Sequence, residues 1–211
     1  DGKTAAFDVR LVAGRDYQFV VWADVVVNGE QDIDNHYVTK DANGVSTLNN
    51  ITLNGEWNAM DESRDAFTAT ELIENFNSAK PINITLKRPF AKLRVVTTDI
   101  KNLTNLGIVP KAATVEYTTT HRVAFNAFTG EAADASESKT HSYTINPYSN
   151  ETMDGAEYTL FTDYFFAEND VVKFNFNVYE DEAMTKLIKE NNFVTDINVK
   201  RNHLTTIKGN I

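Results

Sequence analysis

Asp32, Asp34 and His36 occupy alternating positions, so an extended strand would set two carboxylates and an imidazole on one face, the donor types of a hard or borderline cation site. The competing reading is a solvated acidic loop. Calcium loops carry a denser run of oxygen ligands, and catalytic zinc draws on more than one histidine. Asp61, Glu62 and Asp65 form a second acidic group, but Arg64 lies among them; it reads as surface ion pairing or entry into a helix. Glu157 and Asp163 are carboxylates of the kind a glycosidase pairs across a bond, yet abundance of carboxylates supplies candidates without geometry.

Nucleophilic hydrolysis needs a serine oriented by a base. None of Ser46, Ser63, Ser78, Ser136, Ser138, Ser142 and Ser149 sits in a strand-to-helix glycine elbow, and His121, His141 and His203 fall in or beside β-forming segments. The chain is therefore read as no enzyme, with no catalytic, cofactor-binding or metal residue assigned and no cofactor expected. The aromatic residues give a different candidate. Trp57, Tyr37 and Tyr148 lie in loop-like stretches and suit a sugar-stacking or adhesive surface, whereas Trp22 sits inside an apolar run and reads as core. Four glycosylation-type tripeptides begin at Asn50, Asn83, Asn102 and Asn150, a number that a chain rich in Asn and Thr produces by chance.

Composition narrows the classes. Lysine plus arginine number 20 against 30 aspartates and glutamates, for a net charge of -10, which disfavours a nucleic-acid partner. The absence of cysteine removes disulfide, thiolate-zinc and iron-sulfur chemistry. No run approaches the roughly 20 apolar residues of a membrane helix. Asparagine and threonine together supply 47 of the 211 residues, a balance that favours sheets joined by Asn-rich turns.

The elements follow from periodicity. Phe7 to Leu11 alternates apolar and charged residues as an amphipathic strand, and Tyr17 to Val27 is apolar on both faces, as a central strand would be. Residues 28–65 read as a long decorated loop with short strands at Tyr37 to Lys40 and Ser46 to Leu53, joined through Asp41-Ala42-Asn43-Gly44. Thr68 followed by Glu71 has capping-box spacing and predicts a short helix from Ala69 to Asn77. Ile82, Ile84 and Leu86 alternate, Pro89 marks an edge, bulge or strand switch, and Ala91 to Thr97 resumes as a strand. Ala113 to Thr120, Arg122 to Phe128, Tyr158 to Phe166 and Val172 to Val178 also read as strands. Glu131 to Lys139 reads as a surface loop, Asp181 to Glu190 as a helical turn or a hairpin loop, and the chain closes with strands through Ile197 to Arg201 and Thr205 to Ile211.

Four blocks carry a resemblance to a known family: Gly14-Arg15-Asp16-Tyr17-Gln18-Phe19-Val20-Val21-Trp22-Ala23-Asp24, Arg64-Asp65-Ala66-Phe67, Arg88-Pro89-Phe90-Ala91-Lys92-Leu93-Arg94-Val95, and Val199 through Asn210. In these blocks the chain resembles the fimbrillin-like surface lipoproteins of Bacteroidetes, the subunits and relatives of pili assembled from lipoprotein precursors. The resemblance implies an all-β fold, a transthyretin-like antiparallel β-sandwich with long loops and one or two short helices, spanning residues 1–211 as a single domain truncated at its ends. It also implies export as a lipoprotein, an outer-membrane-associated location at the cell surface, and membrane contact only through a lipid anchor outside this chain. The expected role is a structural or accessory subunit of fimbriae, acting through strand-mediated assembly or adhesion with other subunits or itself. The alternative is a monomeric surface lipoprotein that binds carbohydrate or host protein through exposed loops around Tyr37, Trp57 and Tyr148. Under the assembly reading, Ile82, Ile84, Leu86, Phe174 and Phe176 line either a completed core or an acceptor groove.

Overall fold

The structure is a computed structural model and describes residues 4–26, 36–55, 58–133, 140–145 and 157–211. Asp32, Asp34, Trp57, Tyr148, the tripeptide at Asn150 and most of the expected 131–139 loop lie outside these. The strands in chain order are β1 (Arg15–Ala23), β2 (Tyr37–Val38), β3 (Ile51–Leu53), β4 (Phe67–Phe76), β5 (Phe90–Thr97), β6 (Ala112–Tyr117) and β7 (Ala124–Asn126). They continue as β8 (Glu131–Ala132), β9 (Thr140–Thr144), β10 (Tyr158–Phe166), β11 (Asn169–Tyr179), β12 (Leu187–Lys200) and β13 (Leu204–Gly209). A single short helix, α1 (Ile100–Asn105), and a 3-10 turn at Glu62–Arg64 complete the described elements. The fold is an all-β sandwich.

Its larger core lies between the sheet β10-β5-β13 and the sheet β12-β11-β6-β9. The alternation Val172, Phe174, Phe176, Val178 along β11 places one apolar row inward, against Leu93 and Val95 of β5 and Phe161 and Phe165 of β10. A second core forms where the sheet β2-β3-β7-β8 meets the opposite side of the β5-β10 pair: Tyr37, Ile51 and Phe125 pack with Phe90, Tyr164 and Phe166. Phe90 and Phe166 are register partners, so this one antiparallel pair serves both cores, one through each face. That is why β10 is buried at eight of its nine positions and lacks the polar alternation of a half-exposed strand.

Several elements differ from the sequence reading. The helix expected over Ala69–Asn77 is instead β4, paired antiparallel with β1. The Thr68 hydroxyl that would have capped a helix donates to the Val21 carbonyl at 3.0 Å, across the ladder. The β-branched Thr68, Thr70 and Ile73 suit that ladder, and a partner strand with matching register overrides four-residue capping chemistry. β1 is not central; β4 is its one ladder partner among the described residues. Residues 7–11 join no strand, and Phe7 is exposed. Ile82, Ile84 and Leu86 are half-buried outside any strand, the next ordered contact being the Thr68–Lys87 bridge.

The other readings hold in outline. Asp41 accepts hydrogen bonds from the Asn43 and Val45 amides at 2.9 Å, closing the turn that joins the Lys40–Ser46 bridge. Asp181 does the same for Thr185 and Lys186, so residues 181–186 form a hairpin loop between β11 and β12. Pro89 stands directly before β5. The two closing strands, β12 and β13, enter different sheets, and β13 runs parallel to β5, the one parallel pair among the described residues.

The shared strand pair makes its aromatic residues the most costly to truncate. Phe166 is 2% exposed and stacks on Phe90 at 5.0 Å and Phe125 at 5.8 Å. Phe166→Ala is expected to lower stability by about 3–5 kcal/mol in urea denaturation, whereas Leu72→Ala on the exposed face of β4 should change it by less than about 0.5 kcal/mol.

Candidate functional site

The acidic cluster at 61–65 is taken up by structural pairing. Asp61 caps the 3-10 turn by accepting from the Ser63 amide at 3.0 Å, and it lies 3.5 Å from His36. Glu62 holds Lys92 Nζ at 2.6 Å and accepts from the Tyr164 hydroxyl at 2.6 Å. Partial burial opposes its ionised form, but these two bonds outweigh that and keep its carboxyl below the usual range. Asp65 receives a two-pronged bond from Arg88 at 2.6 Å, and the Arg88 guanidinium stacks over Phe67 at 4.7 Å.

Arg64 takes a different path from its neighbours, into the interior. Its Nη1 donates to the Asn58 carbonyl at 2.9 Å and lies 3.7 Å from the carboxylate of Asp163, which is 1% exposed. Asp163 in turn accepts from the Tyr117 hydroxyl at 2.8 Å and from the Tyr164 amide at 2.8 Å, with His141 at 3.9 Å. The Tyr37 hydroxyl donates to the Arg64 carbonyl at 2.5 Å. Asp163 thus has no access to a substrate, and the other half of the imagined glycosidase pair, Glu157, is bound to Lys208 at 2.6 Å on the surface. His121 is buried edge-on to Tyr117 at 4.4 Å, and burial pushes its imidazole down to about 4. Among the described residues no group of three or more His, Asp or Glu side chains is placed to hold a metal ion. No helix among the described residues is long and apolar enough to cross a membrane.

Tyr37, expected at an exposed binding loop, is 1% exposed and stacks on Phe90 at 5.5 Å. Trp22 packs against the same core, edge-on to Tyr37 at 5.3 Å. Phe174 and Phe176 are fully buried, so they belong to a completed core and not to an open acceptor groove.

One surface feature among the described residues is an open groove of about 590 Å3. Its walls come from Thr68–Thr70 of β4, Thr85 to Arg88, the Thr129-Gly130 turn, Glu168-Asn169, and the 200–203 turn. Asn202 holds the last of these in place. It adopts a left-handed backbone at φ 60°, a conformation asparagine tolerates better than most residues. Its amide donates to the Phe90 carbonyl at 2.6 Å and its side-chain oxygen accepts from the Arg88 amide at 3.1 Å. Arg201 donates to the Gly130 carbonyl and lies 3.7 Å from Glu168.

The groove escaped the sequence reading because its walls come from five separated segments. A signal was present, since Lys87-Arg88 and Lys200-Arg201 are the only adjacent cations in the chain. Proximity of the two pairs exists only in the folded state.

The chain belongs to a family of unknown function, DUF6562, whose model matches residues 1–211. Among curated proteins none matches. A crystal structure from Bacteroides thetaiotaomicron, provisionally named for polysaccharide binding proteins (DUF1812), superposes with a TM-score of 0.50 at 15% identity, covering 94% of this chain and 71% of that one. A provisionally named adhesin from Bacteroides ovatus gives 0.45 at 10% identity, with coverages of 92% and 67%. The first likeness places the two chains in a common fold.

Two outcomes test the interior network. Asp163→Ala is expected to cost about 3–5 kcal/mol in denaturant unfolding, because it removes the carboxylate that faces the buried Arg64 guanidinium, while the double variant Arg64→Met/Asp163→Leu should recover most of that loss. Burial holds the His121 imidazole below its ordinary value of 6.5. The folded state therefore binds fewer protons, and its stability is full above about pH 6.5 and falls as pH drops toward about 4. Melting curves between pH 7 and 4.5 should show that loss, and His121→Phe should flatten it by up to about 3 kcal/mol.

Proposed function

We propose that this DUF6562 member is a non-catalytic protein of the bacterial cell surface that binds a glycan chain in the groove between the Lys87-Arg88 segment and the Lys200-Arg201 turn. The observation that carries the reading is the groove itself: an open, polar trough of about 590 Å3, while the buried Arg64 and Asp163 are committed to structural bonds. Thr85 and Asn169 line it, and their side chains make no hydrogen bond among the described residues, which leaves hydroxyl and amide groups of the kind that exchange hydrogen bonds with sugars. The polysaccharide-binding name given to the Bacteroides thetaiotaomicron structure supports the same class of ligand. Export and a lipid tether to the outer membrane follow the fimbrillin-like resemblance, and the strand pair shared by both cores supports treating residues 1–211 as one unit.

Fimbrial assembly is the second reading. It is favoured by the free edge of β1, which has β4 as its one ladder partner among the described residues and could accept a strand from another subunit. The two readings separate in solution. Glycan-array and calorimetric binding that is weakened by Asn169→Ala and Thr85→Ala, with the protein monomeric by light scattering, is the expected result. Edge-dependent oligomers without glycan binding would instead assign the protein to fibre assembly.

A further inference from the structure

We infer that the ligand of this groove is an acidic glycan, one bearing carboxylate or sulfate groups, with Lys87 and Lys200 as the charged contacts. The inference rests on the glycan reading above and adds the chemical class. The groove contains four permanent cations, Lys87, Arg88, Lys200 and Arg201, and one carboxylate, Glu168. Two of the cations are already engaged. Arg88 is held by Asp65 at 2.6 Å, and Arg201 faces Glu168, whose other oxygen accepts from the Ala132 amide at 2.9 Å. Lys87 and Lys200 are exposed and have no ion-pair partner among the described residues.

This concentration of positive charge sits in a chain whose net charge is -10. An acidic protein repels anions at long range, so an anionic ligand is attracted only where local cations dominate within a screening length of about 8 Å at physiological salt. The backbone fixes the arrangement. Lys87 exchanges both its amide and its carbonyl with Thr68 at 2.8 and 2.9 Å, and the turn after Lys200 is pinned by the Asn202 bonds to Arg88 and Phe90. The two lysines thus stand on anchored segments that line the same polar groove. Arg88 and Arg201, immobilised by their carboxylates, shape the walls and add their field. A neutral glycan could gain only hydrogen bonds from the two lysines, whereas a uronate or sulfated chain can also place successive anionic groups against them.

The test uses the whole chain and its Lys87→Ala/Lys200→Ala variant, with polygalacturonate, heparin, dextran and poly-glutamate as probes in calorimetry at 50 and 300 mM salt. Both substitutions keep the backbone bonds, and an unchanged melting temperature verifies the fold. The expected result is binding to polygalacturonate, heparin or both, at least about tenfold tighter than to dextran, weakened about tenfold or more in the variant and by the higher salt. Polygalacturonate alone or heparin alone would identify the carboxylate or the sulfate as the recognised group. Equal binding of dextran, or an acidic-glycan affinity unchanged in the variant, overturns the acidic-ligand inference while leaving the glycan reading standing. Binding of poly-glutamate alone, or of no glycan, overturns both.

Discussion

A buried ion pair ties the molecule's two cores together. Arg64 and Asp163 are 3% and 1% exposed, and each reaches a tyrosine of a different core: Asp163 accepts from Tyr117 in the larger one, and the Arg64 carbonyl accepts from Tyr37 in the smaller. A charge in such a place is tolerated only when its hydrogen-bonding capacity is filled. Asn58 supplies an acceptor to Arg64 here, and Tyr117 and Tyr164 supply donors to Asp163. Because one partner lies on the 3-10 turn and the other on β10, the pair fixes how the 61–65 segment sits on the β5-β10 ladder. The neighbouring bonds Glu62–Lys92 and Asp65–Arg88 then have only one register in which to form.

That register extends outward to the surface groove. Arg88 is oriented by Asp65 and by the Phe67 ring, Phe90 is anchored in the smaller core, and Asn202 bonds to the backbone of both positions. The four sequence blocks that carry the family resemblance meet here: the end of β1 against the start of β4, the 64–67 turn, the start of β5, and the 199–204 turn that returns beside it. Their shared role is to hold two cores and a turn in fixed relation. A structural junction of this kind also gives a surface site rigid walls, since its backbone is immobilised by contacts that do not involve the ligand-facing side chains.

The chemistry of the groove differs from that of the rest of the surface. Over the chain as a whole carboxylates outnumber cations, 30 to 20. In the groove, carboxylates engage the arginines and leave the lysines accessible. The division suits the residues, because guanidinium forms directional paired bonds to carboxylate, whereas ammonium remains a mobile, hydrated point charge that adapts to a flexible ligand.

Strand periodicity was legible in two forms: the alternation of Val172, Phe174, Phe176 and Val178 lies in β11, where one face is buried, and the continuous apolar run Tyr158–Phe166 lies in β10, which is buried on both faces. The lack of cysteine, the acidic balance and the turn chemistry at Asp41 were equally decided by residue type, whereas residues 181–190 suited a helical turn and a hairpin loop alike until the Asp181 bonds to Thr185 and Lys186 closed the loop. Partnership was decided only by the tertiary structure. Thr68 and Glu71 satisfy the spacing of a helix cap, and only the register against β1 makes that segment a strand. Tyr37 looks like an exposed loop aromatic until Phe90 and Phe166 close over it. The two Lys-Arg pairs are 113 positions apart in the chain and share a groove because β13 returns parallel to β5. Local pattern reports how each segment meets water, but which segments meet one another depends on long-range pairing, and that pairing assembled the groove.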